Sequence, residues 1–478
     1  MKRMYKGSCG DEYYKREIGF SKPRNFSRKI SASEAMVKRL DLYGKLTGHE
    51  GCVNTIDFNA TGDVLVSGSD DRRVILWDWA TATSKFSYPS GHMDNIFQAN
   101  FMPFTDDCKI ITASADGQVR LGLVLENGRV ETKKVGKHQG RVHKLAVEPG
   151  SPYILYSCGE DGFVQHVGCH VYDLRSNSSS KLLRCSSFTE NNKQSTCSIR
   201  LNAIVIDPRN PNYFSVGGSD EYARVYDIRM YHQLDARTSS ARPIDTFCPH
   251  HLIKTHDVHI TALAYSNTSE LLVSYNDELV YLFQKNMGLG PTPLSLQGED
   301  LDKLEKPQVY SGHRNSQTVK GVSFFGPTDE YVLTGSDCGH IFVWKKKDAK
   351  LVRLMVGDRH IVNQLKPHPC IPVLATCGIE KTIKLWAPTS KDVTPLPPDV
   401  QEIMEANRRG REDHSRVTLT PDMIMHVLRL HRRQVLAYIE RGENSDDVDS
   451  DDDDRGGAGY VLGFSDGEEG ENSECSIS

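Results

Sequence analysis

Gly48-His49, then Ser67-Gly68-Ser69-Asp70-Asp71, then Trp77-Asp78: this run decides the fold. A Gly-His pair, a strand of small residues ending in an Asp turn, and a closing Trp-Asp mark one four-stranded propeller blade. Between the anchors lie short β-branched segments, Val64-Leu65-Val66-Ser67 and Val74-Ile75-Leu76-Trp77, separated by turns. The same spacing of turn residue and strand end recurs as Asp71/Trp77, Asp116/Gly122, Asp220/Tyr226, Asp277/Phe283, Cys338/Trp344 and Glu380/Trp386, and Asp161 supplies the turn of a further copy between the second and fourth. That predicts seven blades between about residues 42 and 387. One such sheet cannot bury both faces alone, whereas a closed ring of them can, and it protects its strand edges. Leu42-Tyr43-Gly44-Lys45-Leu46 precedes the first Gly-His, so it is expected to form the outer strand of the last blade and latch the ring.

The chain has 478 residues, and the repeat absorbs most of them into one all-β unit at 42–390. The rest divides into a basic N-terminal arm with a short helix (1–41), a helical C-terminal extension (391–442) and a disordered acidic tail (443–478). From Glu443 onward thirteen acids face Arg455 alone, a net of −12, and residues 1–40 carry eleven Lys or Arg against four acids, a net of +7. The ring itself is close to neutral. No apolar run of about 18 residues and no apolar signal core occur, so a soluble intracellular chain without membrane contact is expected. The 12 cysteines are scattered without a Cys-x-x-Cys pair, which argues for reduced thiols. Thr420-Pro421-Asp422 reads as the start of a helix ending at Gly442, residues 400–409 as a shorter polar one, and Ser33 to Leu40 as a short amphipathic one.

Chemistry is hard to find. No phosphate loop, nucleophile elbow or zinc-protease His pair occurs, so no catalytic residues and no cofactor are expected. His49, His92 and His313 are read as structural, each bonding the turn acid and a strand Ser or Thr beside the Trp position. The structural set is completed by Asp71, Trp77, Asp116, Asp161, Asp220, Asp277, Trp344 and Trp386. His166, Cys169 and His170 lie on one strand and point to both its faces, which does not suit a metal, and the acidic run at Asp449 lacks the Gly and Glu of a calcium loop. In the third copy Tyr172 stands eleven residues after Asp161 instead of six, so Val167-Gly168-Cys169-His170-Val171 reads as an insertion that should bulge or distort its strand.

Two blades end in Asp-x-Arg: Tyr172-Asp173-Leu174-Arg175 and Tyr226-Asp227-Ile228-Arg229. With the longer run Phe214 to Arg229, they resemble the box of WD40 substrate receptors of cullin-RING ubiquitin ligases. Gly48 to Thr55, Cys248-Pro249-His250-His251-Leu252, Ser274 to Glu278, Thr318 to Val322 and Gly335 to Phe342 resemble the factor 8 group of the DDB1- and CUL4-associated factors, in a plant-like form. The resemblance implies a non-enzymatic scaffold that grips the ligase adaptor, and through it a cullin-RING complex, on one side and holds a protein substrate on the other. It makes Asp227 and Arg229 the leading adaptor contacts, Asp173 and Arg175 the second pair, and Ser33 to Leu40 a helix inserted into the adaptor. Arg suits such a contact because its planar fork can hold a carboxylate or several carbonyls at once. The alternative is a chromatin scaffold whose acidic tail engages histones. Sequence-specific nucleic-acid binding is not expected, and residence in nucleus and cytoplasm is.

Overall fold

The computed structural model describes residues 9–168, 179–188, 197–231, 242–255, 257–295 and 304–412. Its strands form seven four-stranded antiparallel sheets. Blade one is typical, with strands Val53–Phe58, Leu65–Ser69, Arg73–Asp78 and Thr83–Pro89 in spatial order. The inner strand carries a register shift one step after its start in six blades, as between Val53 and Thr55, and this repeated bulge adds twist at one end of each sheet.

The ring closes as expected. Asp41–Thr47 runs antiparallel to Thr382–Ala387, with Leu42 opposite Trp386 and Leu46 opposite Ile383, so the first strand is the outer strand of blade seven. Apolar side chains do not gather in one core. They form seven clusters, each shared by two neighbouring blades; Val53, Ile56 and Trp77 of blade one meet Leu46, Ala375, Cys377, Ile383 and Leu385 of blade seven, for example.

Blade three differs from expectation. Its third strand, Phe163–Gly168, pairs with Ile154–Gly159 in unbroken register from Cys158/Val164 to Ile154/Gly168. Val167, buried against blade two, therefore occupies the Trp position itself, and the chain does not bulge there against its inner neighbour. The register shift on the outer side, between Val164 and Gln165, matches one between Val119 and Arg120 in blade two. The extra residues consequently come after Gly168. Cys169, His170, Asp173 and Arg175 lie outside the described residues, as do the helix expected at 420–442 and the acidic tail.

Four α-helices flank the ring among the described residues: α1 (Cys9–Glu17), α2 (Pro23–Ser31), α3 (Glu34–Val37) and α4 (Val400–Glu412). Pro23 starts α2, where its missing N–H costs nothing. Tyr13 and Phe26 meet edge to face at 5.1 Å and Lys29 pairs with Glu12 at 3.1 Å, which ties α1 to α2. Helix α4 extends past the expected 400–409 and packs Val400, Ile403 and Met404 against the core between blades five and six. Eight described cysteines are free thiols and Cys52 is disulfide-bonded, so the expectation of reduced thiols holds for those eight only.

Candidate protein-docking site

Three histidines show how the ends of blades one to three are held. His49 Nδ1 lies 2.8 Å from Asp71 and its Nε2 2.7 Å from Ser67, whose hydroxyl also accepts from Trp77 Nε1 at 2.8 Å. His92 repeats this with Asp116 and Thr112, and Gly122 stands at the Trp position because a Cβ there would meet the Tyr88 hydroxyl at 2.6 Å. His138 bonds Asp161 and Ser157 in the same way. It has no preceding Gly, which hides it from a Gly-His search, yet it stands 23 residues before its acid, between the 22 and 24 of the other two.

His313 departs from its expected role. It is fully buried beside Trp344, ring centroids 5.7 Å apart, and neither ring nitrogen has a hydrogen-bond partner. The cause is the turn: Cys338 replaces the acid, and the preceding Asp337 is engaged by Lys320 and Arg314. Trp344 Nε1 donates instead to the Ser311 carbonyl at 3.2 Å. Burial, with the positive charges of Arg411 and Lys320 nearby, pushes His313 down to about 3. Other turns have also changed partners. Asp220 holds the buried Arg224 by two bonds of 2.9 and 2.5 Å, Asp277 has φ +55° and accepts from Asn276, and Glu380 takes Lys384 at 2.6 Å, while Trp386 Nε1 keeps the usual bond to the strand hydroxyl, here Thr376 at 2.9 Å.

The Asp227–Arg229 pair sits at the end of the third strand of blade four, Ala223–Asp227. Tyr226 is buried, stacked on Phe214 at 5.6 Å, and Asp227 and Ile228 are buried too, so Arg229 projects from an anchored turn. Asp227 caps the following 3-10 turn by accepting from the Arg229 backbone N–H at 2.9 Å, and its carboxylate takes the Arg229 side chain through Nε at 3.0 Å and Nη2 at 2.6 Å. The arginine's hydrogen bonds hold the Asp227 carboxyl below its ordinary value. Arg229 lies over the Tyr213 ring at 6.0 Å and remains 61% exposed, with Met230 beside it at 58%. The acid thus aims the guanidinium while one side of the fork faces solvent.

Ser33 to Leu40 is not a projecting helix. Val37 and Leu40 are buried in the core between blades six and seven, Arg353 donates to the Leu40 carbonyl at 3.0 Å, and Tyr331 donates to the Ala32 carbonyl at 2.9 Å. The exposed apolar side chains lie earlier: Tyr13 (51%), Tyr14 (55%), Ile18 (47%) and Phe20 (84%) on and just after α1. Arg28 of α2 reaches the Pro327 carbonyl at 3.3 Å, in the connection between the first two strands of blade six. The Ile228 N–H donates to Asn212, in the corresponding connection of blade four. Inner strands of a propeller run in one direction, so α2 and Arg229 share one end of the ring. The His313 connection and α4 mark the opposite end, where Asn407 donates to the Gly312 carbonyl at 2.8 Å. Among the described residues no group of three or more His, Cys, Asp or Glu side chains could hold a metal, and no helix is long and apolar enough to cross a membrane.

The WD domain, G-beta repeat family matches residues 40–78, the closing strand and three strands of blade one, and 304–345, the outer strand of blade five and three strands of blade six. The chain is 33% identical to Protein ALTERED SEED GERMINATION 2 of Arabidopsis thaliana over 55% of its own length and 38% of that protein's. It is 32% identical to mouse DDB1- and CUL4-associated factor 6 over 58% of this chain and 32% of that one. To mouse WD and tetratricopeptide repeats protein 1 the identity is 23%, over 80% of this chain and 90% of the relative. The chain therefore spans little more than a third of the first of these relatives. The likeness reaches the DDB1- and CUL4-associated factors through factor 6, not specifically through factor 8. What the repeats and the sheets establish together is a seven-bladed WD40 propeller, similar in sequence to a DDB1- and CUL4-associated factor.

Proposed function

We propose that this chain is a substrate-recognition subunit of a cullin-RING ubiquitin ligase, a non-enzymatic scaffold that binds the adaptor with one end of its ring and presents a target protein. The observation that carries the reading is Arg229, aimed by Asp227 from a rigid turn yet largely exposed, in a chain similar to a DDB1- and CUL4-associated factor. A guanidinium already oriented by its own carboxylate loses little side-chain freedom on docking. The apolar side chains of α1, at the same end of the ring, supply a second adaptor contact in place of the buried Ser33 to Leu40 segment. Asp173 and Arg175 remain the second motif pair of this proposal, and residence in nucleus and cytoplasm is part of it.

Affinity purification of the tagged chain from cells tests it, comparing wild type with Arg229→Ala, with Arg175→Ala plus Arg229→Ala, and with Tyr14→Ala plus Phe20→Ala. Wild type should bring down adaptor and cullin. The double arginine variant should lose most of both while keeping its melting temperature. Undiminished recovery of the adaptor by all variants would remove these residues from the contact, and absence of adaptor and cullin from the wild-type sample would end the ligase reading.

A further inference from the structure

Cys338 stands where the first three blades carry an acid. Gly335-Ser336-Asp337-Cys338 ends the second strand of blade six as Gly68-Ser69-Asp70-Asp71 ends that of blade one, and the two turns close alike: the Cys338 N–H donates to the Ser336 hydroxyl at 3.5 Å, as the Asp71 N–H does to Ser69 at 3.3 Å. In blades one to three the turn acid takes Nδ1 of the blade histidine, at 2.8, 3.1 and 2.9 Å, and a strand hydroxyl takes Nε2. Blade six withdraws both partners. The thiol stops one atom short of a carboxylate oxygen, and Thr334 turns its hydroxyl to the Gly321 and Gly335 carbonyls, each at 3.2 Å. His313 is left fully buried, with both ring nitrogens unpartnered among the described residues and Nδ1 towards a turn that lacks an oxygen.

The thiol itself is set up to react. It is partly exposed, its sulphur lies 3.1 Å from the Ser336 hydroxyl and accepts from Asn407 Nδ2 of α4 at 3.3 Å, and the His340 ring reaches both the sulphur and, at 3.0 Å, the Cys338 carbonyl. Burial raises the thiol, but the hydrogen bonds of His340, Ser336 and Asn407 outweigh it and hold it at about 7, so a large share is thiolate at neutral pH. The thiol, with Asp399, in turn holds His340 above its ordinary value. The neighbouring Asp337 is already taken by Lys320 and Arg314, and Arg411 and Lys320 put positive charge around His313. We propose that Cys338 is a site of reversible oxidation by hydrogen peroxide, and that the oxygen it gains fills the place of the missing turn acid and bonds His313 Nδ1. The thiolate attacks one peroxide oxygen, an S–O bond forms as the O–O bond breaks, and the sulphur gives up two electrons to the peroxide. The departing hydroxide takes a proton from the His340 imidazolium and leaves as water. A sulfenic acid places its oxygen as many bonds from the backbone as an aspartate does, so the product has the reach that the thiol lacks.

The test is brief exposure of the reduced full chain to dilute hydrogen peroxide, followed by unfolding in dimedone and peptide mass spectrometry. Cys370, exposed and free, is the internal control. Cys338 is expected to be trapped about tenfold more than Cys370 and to return to the thiol with a dithiol reductant. In His313→Leu the sulfenic form should decay about tenfold faster once peroxide is removed, because nothing holds its oxygen. Thermal melting checks that this variant is folded, and His313→Phe replaces it should it prove unstable. Cys338→Asp supplies the oxygen permanently and recreates the Asp-Asp turn of blade one, so it should melt about 2 °C higher than the reduced wild type. Equal trapping at Cys338 and Cys370, a wild-type lifetime in the folded His313 variant, or a lowered melting temperature for Cys338→Asp would each overturn the proposal.

Discussion

His313 isolates what an invariant-looking residue does when its partners are changed. Three histidines at equivalent positions have an acid on one side and a hydroxyl on the other, whereas His313 sits in the same slot with neither. A histidine buried neutral, with its value down at about 3, binds fewer protons folded than unfolded once the pH drops below about 6.5. Its contribution is thus complete at neutral pH and falls away as the pH drops from about 6.5 towards 3. Between pH 7 and 5 this one group should take away about 2 kcal/mol. His313→Leu should flatten the stability–pH curve in that window, as read by denaturant titration at each pH; a curve with unchanged slope would show that the ring charges in the folded state. The Asp116 carboxyl works in the opposite window. Burial raises it, but the His92 hydrogen bond and the N–H groups of Met93 and Gln118 outweigh that and hold it at about 2. Its folded value is depressed, so its share persists above about pH 4 and disappears on the way to pH 2.

At the scale of elements, closure rests on one short strand. Asp41–Thr47 covers the edge of Thr382–Ala387 and buries Leu46 in the last interface. Deleting it exposes that edge and removes about 2 kcal/mol of apolar burial at Leu46 alone. The melting temperature should drop by at least about 5 °C, or the product should aggregate through the open edge; a deletion variant that melts like wild type would show that the strand is dispensable. This latch was legible in the sequence because its place before the first Gly-His leaves it no other sheet to join. The third blade was less legible. Val167 fills the Trp position without resembling Trp, so counting back from Tyr172 located the extra residues inside a strand that is regular. The residue pattern shows α1 and α2 only as a basic arm, although Pro23 at a first turn marks the start of α2. Ser33 to Leu40 was legible as amphipathic, but amphipathicity alone does not say whether the apolar side meets this ring or another protein.

Across the whole molecule the apolar contacts are divided among seven interfaces of similar construction, and each blade depends on both its neighbours. The ring should lose its structure as one unit: hydrogen exchange of the inner strands, such as Val53–Phe58 and Leu201–Ile206, should converge on a single opening free energy, whereas separate plateaus for different blades would point to independent units. Closure also sets an order in time. Asp41–Thr47 leaves the ribosome early, yet the strand it must join is complete only at Ala387. At about 5–20 residues per second, translation keeps the two apart for roughly 20 to 70 s. During that interval only the first and the newest blade have a neighbour on one side alone, and blade one waits with one of its two apolar interfaces bare. Such a nascent chain is a natural client for chaperones that shield unpaired sheets, and its yield should depend on them more steeply than the stability of the finished ring would suggest.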